Sequence, residues 1–487
     1  MIGARGVFAA LAVLALAGCQ TTPNAERQFE LAQATLDNHI RTLASAEYGG
    51  REPGTEGGRK TQTYLVDALE SYGFVSGVAD GSWRQPVELV RIRPETAELT
   101  IGNVAISGYQ LVVRHDQPAL AIEDSRLTVL APGAEPPPDG SQKGRSAVMF
   151  ADAIFAGEGR TMSDAGFDAI IILFGEEDTQ RFGQASRSFA RGSWGLSSAK
   201  PGAVPYVALS PEASAQFAQA VGHDVPSLLA LAQEQEAGAF QRRTPVAISG
   251  TFAVDRTETA NVIGKLPGSV PDSGAVMLLA HWDHLGMCGP EDAEDRLCNG
   301  AVDNASGIGV MLETARRIAQ DGPLDRDLYV MGTTAEELGL LGAEAFAKDP
   351  PFPLPTIVAA FNMDTVAIAP RGAPATVIGW ERTPLDAGIK QVTEAIGVEL
   401  DVLEEHQQFV RRQDGWALLS RDVPVVLVTS SFGDEEAFSA FLNGPYHKAN
   451  DEWSPDMELG GATDDIFLHI ALLKHFGSTV AYPVGEE

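Results

Sequence analysis

Val276-Met277-Leu278-Leu279-Ala280 is an apolar run that ends directly on His281-Trp282-Asp283-His284. A run of that length with no polar face is what a strand buried on both sides requires. The pattern recurs downstream. Leu328 to Gly332 leads into Thr333-Thr334-Ala335-Glu336-Glu337, Ile357 to Phe361 leads into Asn362-Met363-Asp364, and Val423 to Thr429 is a fourth such run. Helical segments are expected between them, beginning near Ala305, Glu336 and Pro384. This alternation predicts an α/β domain with a mixed, mostly parallel sheet flanked by helices. In such a sheet functional residues gather at the carboxyl ends of the strands.

The residues found at those ends are metal-ligand types. Besides His281, Asp283 and His284 they include Asp303 in Gly300-Ala301-Val302-Asp303-Asn304-Ala305-Ser306-Gly307, the pair Glu336-Glu337, Asp364, and His447 after Tyr446. Each alone has a structural explanation: Asp303 could cap a helix, and paired glutamates could complement a helix dipole. Together they form the imidazole and carboxylate set that zinc accepts. Two histidines and three carboxylates suffice for two ions if one carboxylate bridges, and a pair about 3.5–4 Å apart activates water and stabilises a tetrahedral transition state. At a helix start, Glu336 and Glu337 would diverge by about a quarter-turn. One could then ligate while the other handles the proton of the attacking water.

Residues 255 to 475 resemble the catalytic domain of the M28 zinc metallopeptidase family. The resemblance is carried by Asn261 to Gly268, Ala280 to Gly286, Asp303 to Gly307, Ala335 to Gly342, Asn362-Met363-Asp364 and Tyr446-His447. It implies a zinc-aminopeptidase, phosphorylase/hydrolase-like fold and two zinc ions per chain, although cobalt and manganese suit the same donors. It further implies that His281 and Asp364 hold one zinc, that Glu337 and His447 hold the other, and that Asp303 bridges them. Glu336 is then the general base and Asp283 the partner that orients His281. His284 has no role in the family pattern. The chain departs from that pattern at Arg412-Gln413-Asp414-Gly415-Trp416, where members carry a Ser-Asp-His-like motif.

Outward from this domain the texture changes. Residues 20–94 read as a polar tether and an N-terminal helical part of the peptidase domain, with the turn-rich loop Gly49 to Gly58 between two helices. Residues 95–250 carry short β-like runs and a Pro/Gly-rich linker, and resemble an inserted α+β protease-associated domain. The catalytic domain is expected over 251–487. Residues 1–19 are expected to be a signal peptide. Arg5 supplies its positive end, and Val7 to Ala17 is too short for the roughly 20 residues of a membrane span. Leu16-Ala17-Gly18-Cys19 resembles a lipobox with Cys19 lipidated. That resemblance implies a cell-envelope protein anchored by lipid, facing the periplasm from the outer membrane, or else secreted. Cys288 and Cys298 can pair as a disulfide in that oxidising compartment or bind metal.

Composition narrows the partners. Of 487 residues, 66 are acidic and 35 basic, for a formal charge of −31, which repels nucleic acid and anionic lipid. Membrane contact is therefore expected only through the anchor. Peptide or protein N-termini are the expected substrates, because an acidic site attracts a free α-ammonium. The alternatives are a carboxypeptidase using Arg411 or Arg412, a one-zinc glutaminyl cyclase-like enzyme, or a binding protein without catalysis.

Overall fold

A computed structural model describes residues 22–199, 202–289 and 292–484. The apolar N-terminal run and Cys19 lie outside the described residues. Chain contacts divide the protein into two compact units, one formed by residues up to Glu88 with those from Thr257 onward, the other by Leu89–Arg256.

The first unit is the α/β domain. Its elements are α1 (Thr22–Leu43), α2 (Glu56–Ser71), the end of the long strand β1 (Ala239–Leu266), β2 (Ala275–His281), α3 (Gly307–Asp321), β3 (Asp327–Thr333), α4 (Leu341–Lys348), β4 (Ile357–Asn362), β5 (Thr376–Ile378), α5 (Asp386–Ile396), α6 (Gly415–Leu419), β6 (Val425–Thr429), α7 (Glu435–Asn443) and α8 (Gly460–Phe476). The strand order is β5-β6-β4-β2-β3-β1. β6, β4, β2 and β3 run parallel, β5 and the end of β1 add to them antiparallel, and the short strand Val75–Ser76 pairs with Gly264 and Lys265 of β1.

Every residue of β2 is buried, and its side chains divide with a period of two. Val276, Leu278 and Ala280 join the core that includes Leu36 and Ile40 of α1, Leu312 of α3 and Leu473 of α8. Met277 and Leu279 join the opposite core, with Met331 of β3, Phe346 of α4 and Leu418 of α6. Helices on both faces thus explain the uninterrupted apolar runs.

The second unit is a smaller α+β body. Strands Ala119–Leu130, Arg145–Phe150, Ala169–Leu173 and Tyr206–Leu209 run parallel in that order, and Leu111–Arg114 adds to Tyr206–Leu209 antiparallel. Helices Thr179–Ala190, Pro211–Ala220 and Val225–Gln233 accompany them. Among the described residues no helix is long and apolar enough to cross a membrane.

One expected helix start lies elsewhere. Glu336 and Glu337 are not helical, because the chain turns back on itself between Ala335 and Leu340, both at positive φ. Gly339 and Leu340 donate to the Glu336 carbonyl, and Gly342 donates to that of Thr334, so the regular helix begins only at Leu341. The helix expected near Ala305 begins at Gly307, just after the non-helical backbone of Asp303 and Asn304.

Candidate metal centre

Three strand ends and two other segments deliver donors to a common point. His281 closes β2, Glu336 and Glu337 sit in the turn after β3, Asp364 follows β4, and Asp303 lies in the turn before α3. His447 arrives from the loop after α7 with φ +60°. His281 Nε2 lies 3.3 Å from Asp303 Oδ1 and 3.4 Å from Asp364 Oδ1. His447 Nε2 lies 3.2 Å from Asp303 Oδ2 and 3.0 Å from Glu337 Oε2. The two oxygens of Asp303 therefore serve two separate imidazoles. All five residues expected as ligands are brought together.

The donor set fits a metal. His281, Asp303 and Glu337 each offer a ligand atom within 4.8 Å of the others. Donors 2.0–2.2 Å from one tetrahedral ion stand roughly 3.3–3.6 Å apart, and the His281–Asp303 and His281–Asp364 separations fall in that interval. The electrostatics also call for a cation. Burial disfavours protonation of His281, yet Asp364 and Asp303 overcome it and hold the imidazole well above its ordinary value. Burial works the same way at His447, where Asp303 and Glu337 push the value up to about 10. The surrounding carboxylates favour positive charge at these rings, and a divalent ion answers the same demand.

Glu336 is half-buried, and desolvation of its carboxyl, opposed by His281 and reinforced by Asp364, raises it well above the usual range. Its backbone N–H donates to Asp283 Oδ1 at 3.1 Å. Asp283 is buried, which pushes it up to about 7. Its carboxylate is 3.9 Å from His281 Nδ1. The hydrogen-bond contact to that ring nitrogen is made by the Asp283 backbone carbonyl, at 3.1 Å. The carboxylate thus anchors the turn that carries Glu336 more directly than it orients the ring.

Sequence reasoning passed over several groups. His284 Nδ1 lies 2.6 Å from Glu337 Oε1, so this histidine holds a candidate ligand. Asp451 accepts the backbone N–H groups of Val302 and Asp303 at 2.9 and 3.0 Å. Asp414, in the departing motif, is fully buried and accepts from Thr333 Oγ1. Tyr446 stacks on the His447 ring and lines the same cavity as His281, Asp303, Glu336 and Asp364. Burial and the surrounding carboxylates push its phenol upward.

Arg51 is the least expected member. Fully buried, it donates to the carbonyls of Trp282 (2.9 Å), Leu43 (3.0 Å), Asn299 (2.5 Å) and Gly300 (2.9 Å). Gly50 makes the approach feasible. At φ +63°, a Cβ there would stand 2.3 Å from the Cys298 carbonyl oxygen. Cys288 and Cys298 form a disulfide beside this turn, and Cys288 Sγ lies 3.6 Å from the His447 carbonyl oxygen.

Residues 261–471 match the model of Peptidase family M28. The alkaline phosphatase isozyme conversion protein of Escherichia coli is 34% identical over 93 residues, 18% of this chain and 26% of that protein. Aminopeptidase YwaD of Bacillus subtilis is 36% identical over 87 residues, 18% of this chain and 17% of that one. The matches thus span about a quarter or less of these relatives. Among solved structures, the aminopeptidase from Aneurinibacillus sp. strain AM-1 aligns with a TM-score of 0.54, covering 93% of this chain and 96% of that chain at 17% identity. That likeness is one of fold.

Proposed function

We propose that this chain is a zinc-dependent aminopeptidase that hydrolyses the first peptide bond of unblocked peptides. The observation that carries the reading is the division of Asp303 between His281 and His447, with Glu336 lining the same cavity. His281 and Asp364 would hold one zinc, Glu337 and His447 the other, with Asp303 between them. The likeness to peptidase family M28 over 261–471 supports that assignment. Zinc supplies Lewis-acid polarisation and a water nucleophile at neutral pH.

The chain's own residues do the rest. Glu336 takes a proton from the attacking water at its carboxylate and passes it to the leaving amine. A carboxyl held above its usual range by burial suits that exchange. Asp283 keeps the Glu336 turn in place, and His284 fixes Glu337. Tyr446, which lines the cavity, would offer its hydroxyl as a donor to charge developing on the carbonyl oxygen. The acidic lining attracts the substrate's α-ammonium. Leu16 to Cys19 supports a lipid-anchored position in the cell envelope, which mass analysis of the mature N-terminus would test.

The test of function is release of free amino acid from unblocked and N-acetylated peptides by wild type and Glu336→Gln, with metal content determined for both. Turnover of unblocked peptides only, lost in the variant while its metal remains, is expected. Absence of hydrolysis by metal-loaded wild type would refute the reading.

A further inference from the structure

The cavity that holds Glu336 and Asp364 is also lined by Arg412, at the departure from the family motif. Its neighbour Arg411 is absent from that lining and lies over the Trp416 ring. Arg412 is exposed, and among the described residues its guanidinium has no acid partner and no hydrogen-bond acceptor. Its contact is the face of Phe409, 5.2 Å from the guanidinium carbon to the ring centroid. An aromatic face restrains a guanidinium without occupying its N–H fork.

The backbone beneath it is held firmly. The Arg412 N–H closes a turn on the Phe409 carbonyl at 2.9 Å. Gln413, buried, folds back so that its Oε1 accepts Gly415 N–H at 2.7 Å. Two residues on, Asp414 is tied to Thr333 at the end of β3. Much of the remaining wall is apolar, including Ile378, Leu427, Phe432 and Phe438.

We infer that Arg412 is a specificity-determining residue that binds a carboxylate of the substrate, selecting peptides that carry a negative charge near the scissile bond. This rests on the aminopeptidase reading for the orientation of the substrate. The α-ammonium is drawn to the carboxylates, and the fork of Arg412 offers a bidentate partner to an anion in the same cavity. Two groups present that chemistry: the side chain of an N-terminal acidic residue, and the C-terminal carboxylate of a dipeptide.

The experiment uses the zinc-loaded full chain, wild type and Arg412→Met, with four probes: Glu-Leu-amide, Gln-Leu-amide, Leu-Leu and Leu-Leu-amide. Affinity is read by calorimetry, and kcat/KM by amino-acid release. Wild type should favour the charged member of one pair by roughly ten- to hundredfold. The variant should lose that preference, the ratio of charged to uncharged member within the pair falling to about one. Preference within the Glu/Gln pair assigns the N-terminal side chain, and preference within the Leu-Leu pair assigns the dipeptide terminus. Equal affinity within both pairs, or a preference that survives in Arg412→Met, overturns the inference. If no probe is hydrolysed the peptidase reading falls, while the affinities still decide the carboxylate pairing.

Discussion

Arg51 grips the backbone of the turn whose side chain, Asp303, stands between two histidines. Its guanidinium bonds the carbonyls of Asn299 and Gly300 and comes within 3.5 Å of the Asp303 carbonyl. The Asp303 carboxylate meanwhile faces His281 and His447. A buried cation below and a carboxylate above the same turn make the position of Asp303 a property of the loop Gly49 to Gly58 as much as of its own segment.

Removing that cation should be costly. Arg51→Met leaves buried carbonyls without donors and should destabilise the protein by about 4 kcal/mol or more. Arg51→Lys, with three donors in place of five, should fall between. Denaturant unfolding measures both, and an Arg51→Met variant within 1 kcal/mol of wild type would contradict the account.

Asp303 should be shared by both metal positions. Asp303→Ala is expected to weaken metal binding by more than about tenfold overall and to lower the bound metal per chain further than His447→Ala does. Elemental analysis after dialysis at fixed free zinc reads the difference. Equal retention in the two variants would remove Asp303 from the bridging place.

Asp465 offers a pH test away from the metal site. Buried in α8, it accepts from Thr429 Oγ1 at 2.7 Å and from Ser430 N–H at 2.9 Å, yet burial raises it to about 7. A raised folded value means that its contribution is fully present below its unfolded value and is lost as pH climbs through 7. The stability of wild type relative to Asp465→Asn should therefore fall between pH 4 and pH 8, by up to about 4 kcal/mol. Unfolding curves across that range test it, and a flat or rising difference would refute it.

The Cys288–Cys298 disulfide closes a short loop, with Cys288 Sγ near the His447 carbonyl. Its loss in Cys288→Ser/Cys298→Ser should cost about 2–3 kcal/mol and, with His447 as a proposed ligand, lower the affinity for zinc. Zinc titration of the oxidised and doubly substituted chains distinguishes a local effect on His447 from global destabilisation alone, which would leave zinc affinity unchanged.

Much of the α/β unit was legible because its physics is local. A strand covered on both faces must be continuously apolar, and parallel strands send their carboxyl ends to one edge. The runs at Val276, Leu328, Ile357 and Val423 therefore announced the sheet, and the His, Asp and Glu residues beside them announced a site. The turn at Ala335 to Leu340 was not legible, since alanine and leucine are good helix formers and their residue types carry no sign of positive φ. Nor were Arg51, Asp451 and Asp414. Their partners are backbone groups and a threonine distant in the chain, and such contacts leave no periodicity. By itself the sequence determined which donors exist and that His281, Glu336, Glu337 and Asp364 stand at strand ends. Only the tertiary structure decided that His284 holds Glu337, that Asp283 anchors Glu336, and that Arg412 rather than Arg411 lines the cavity. Those outcomes depend on where loops close in space, through hydrogen bonds and burial that residue order does not encode locally.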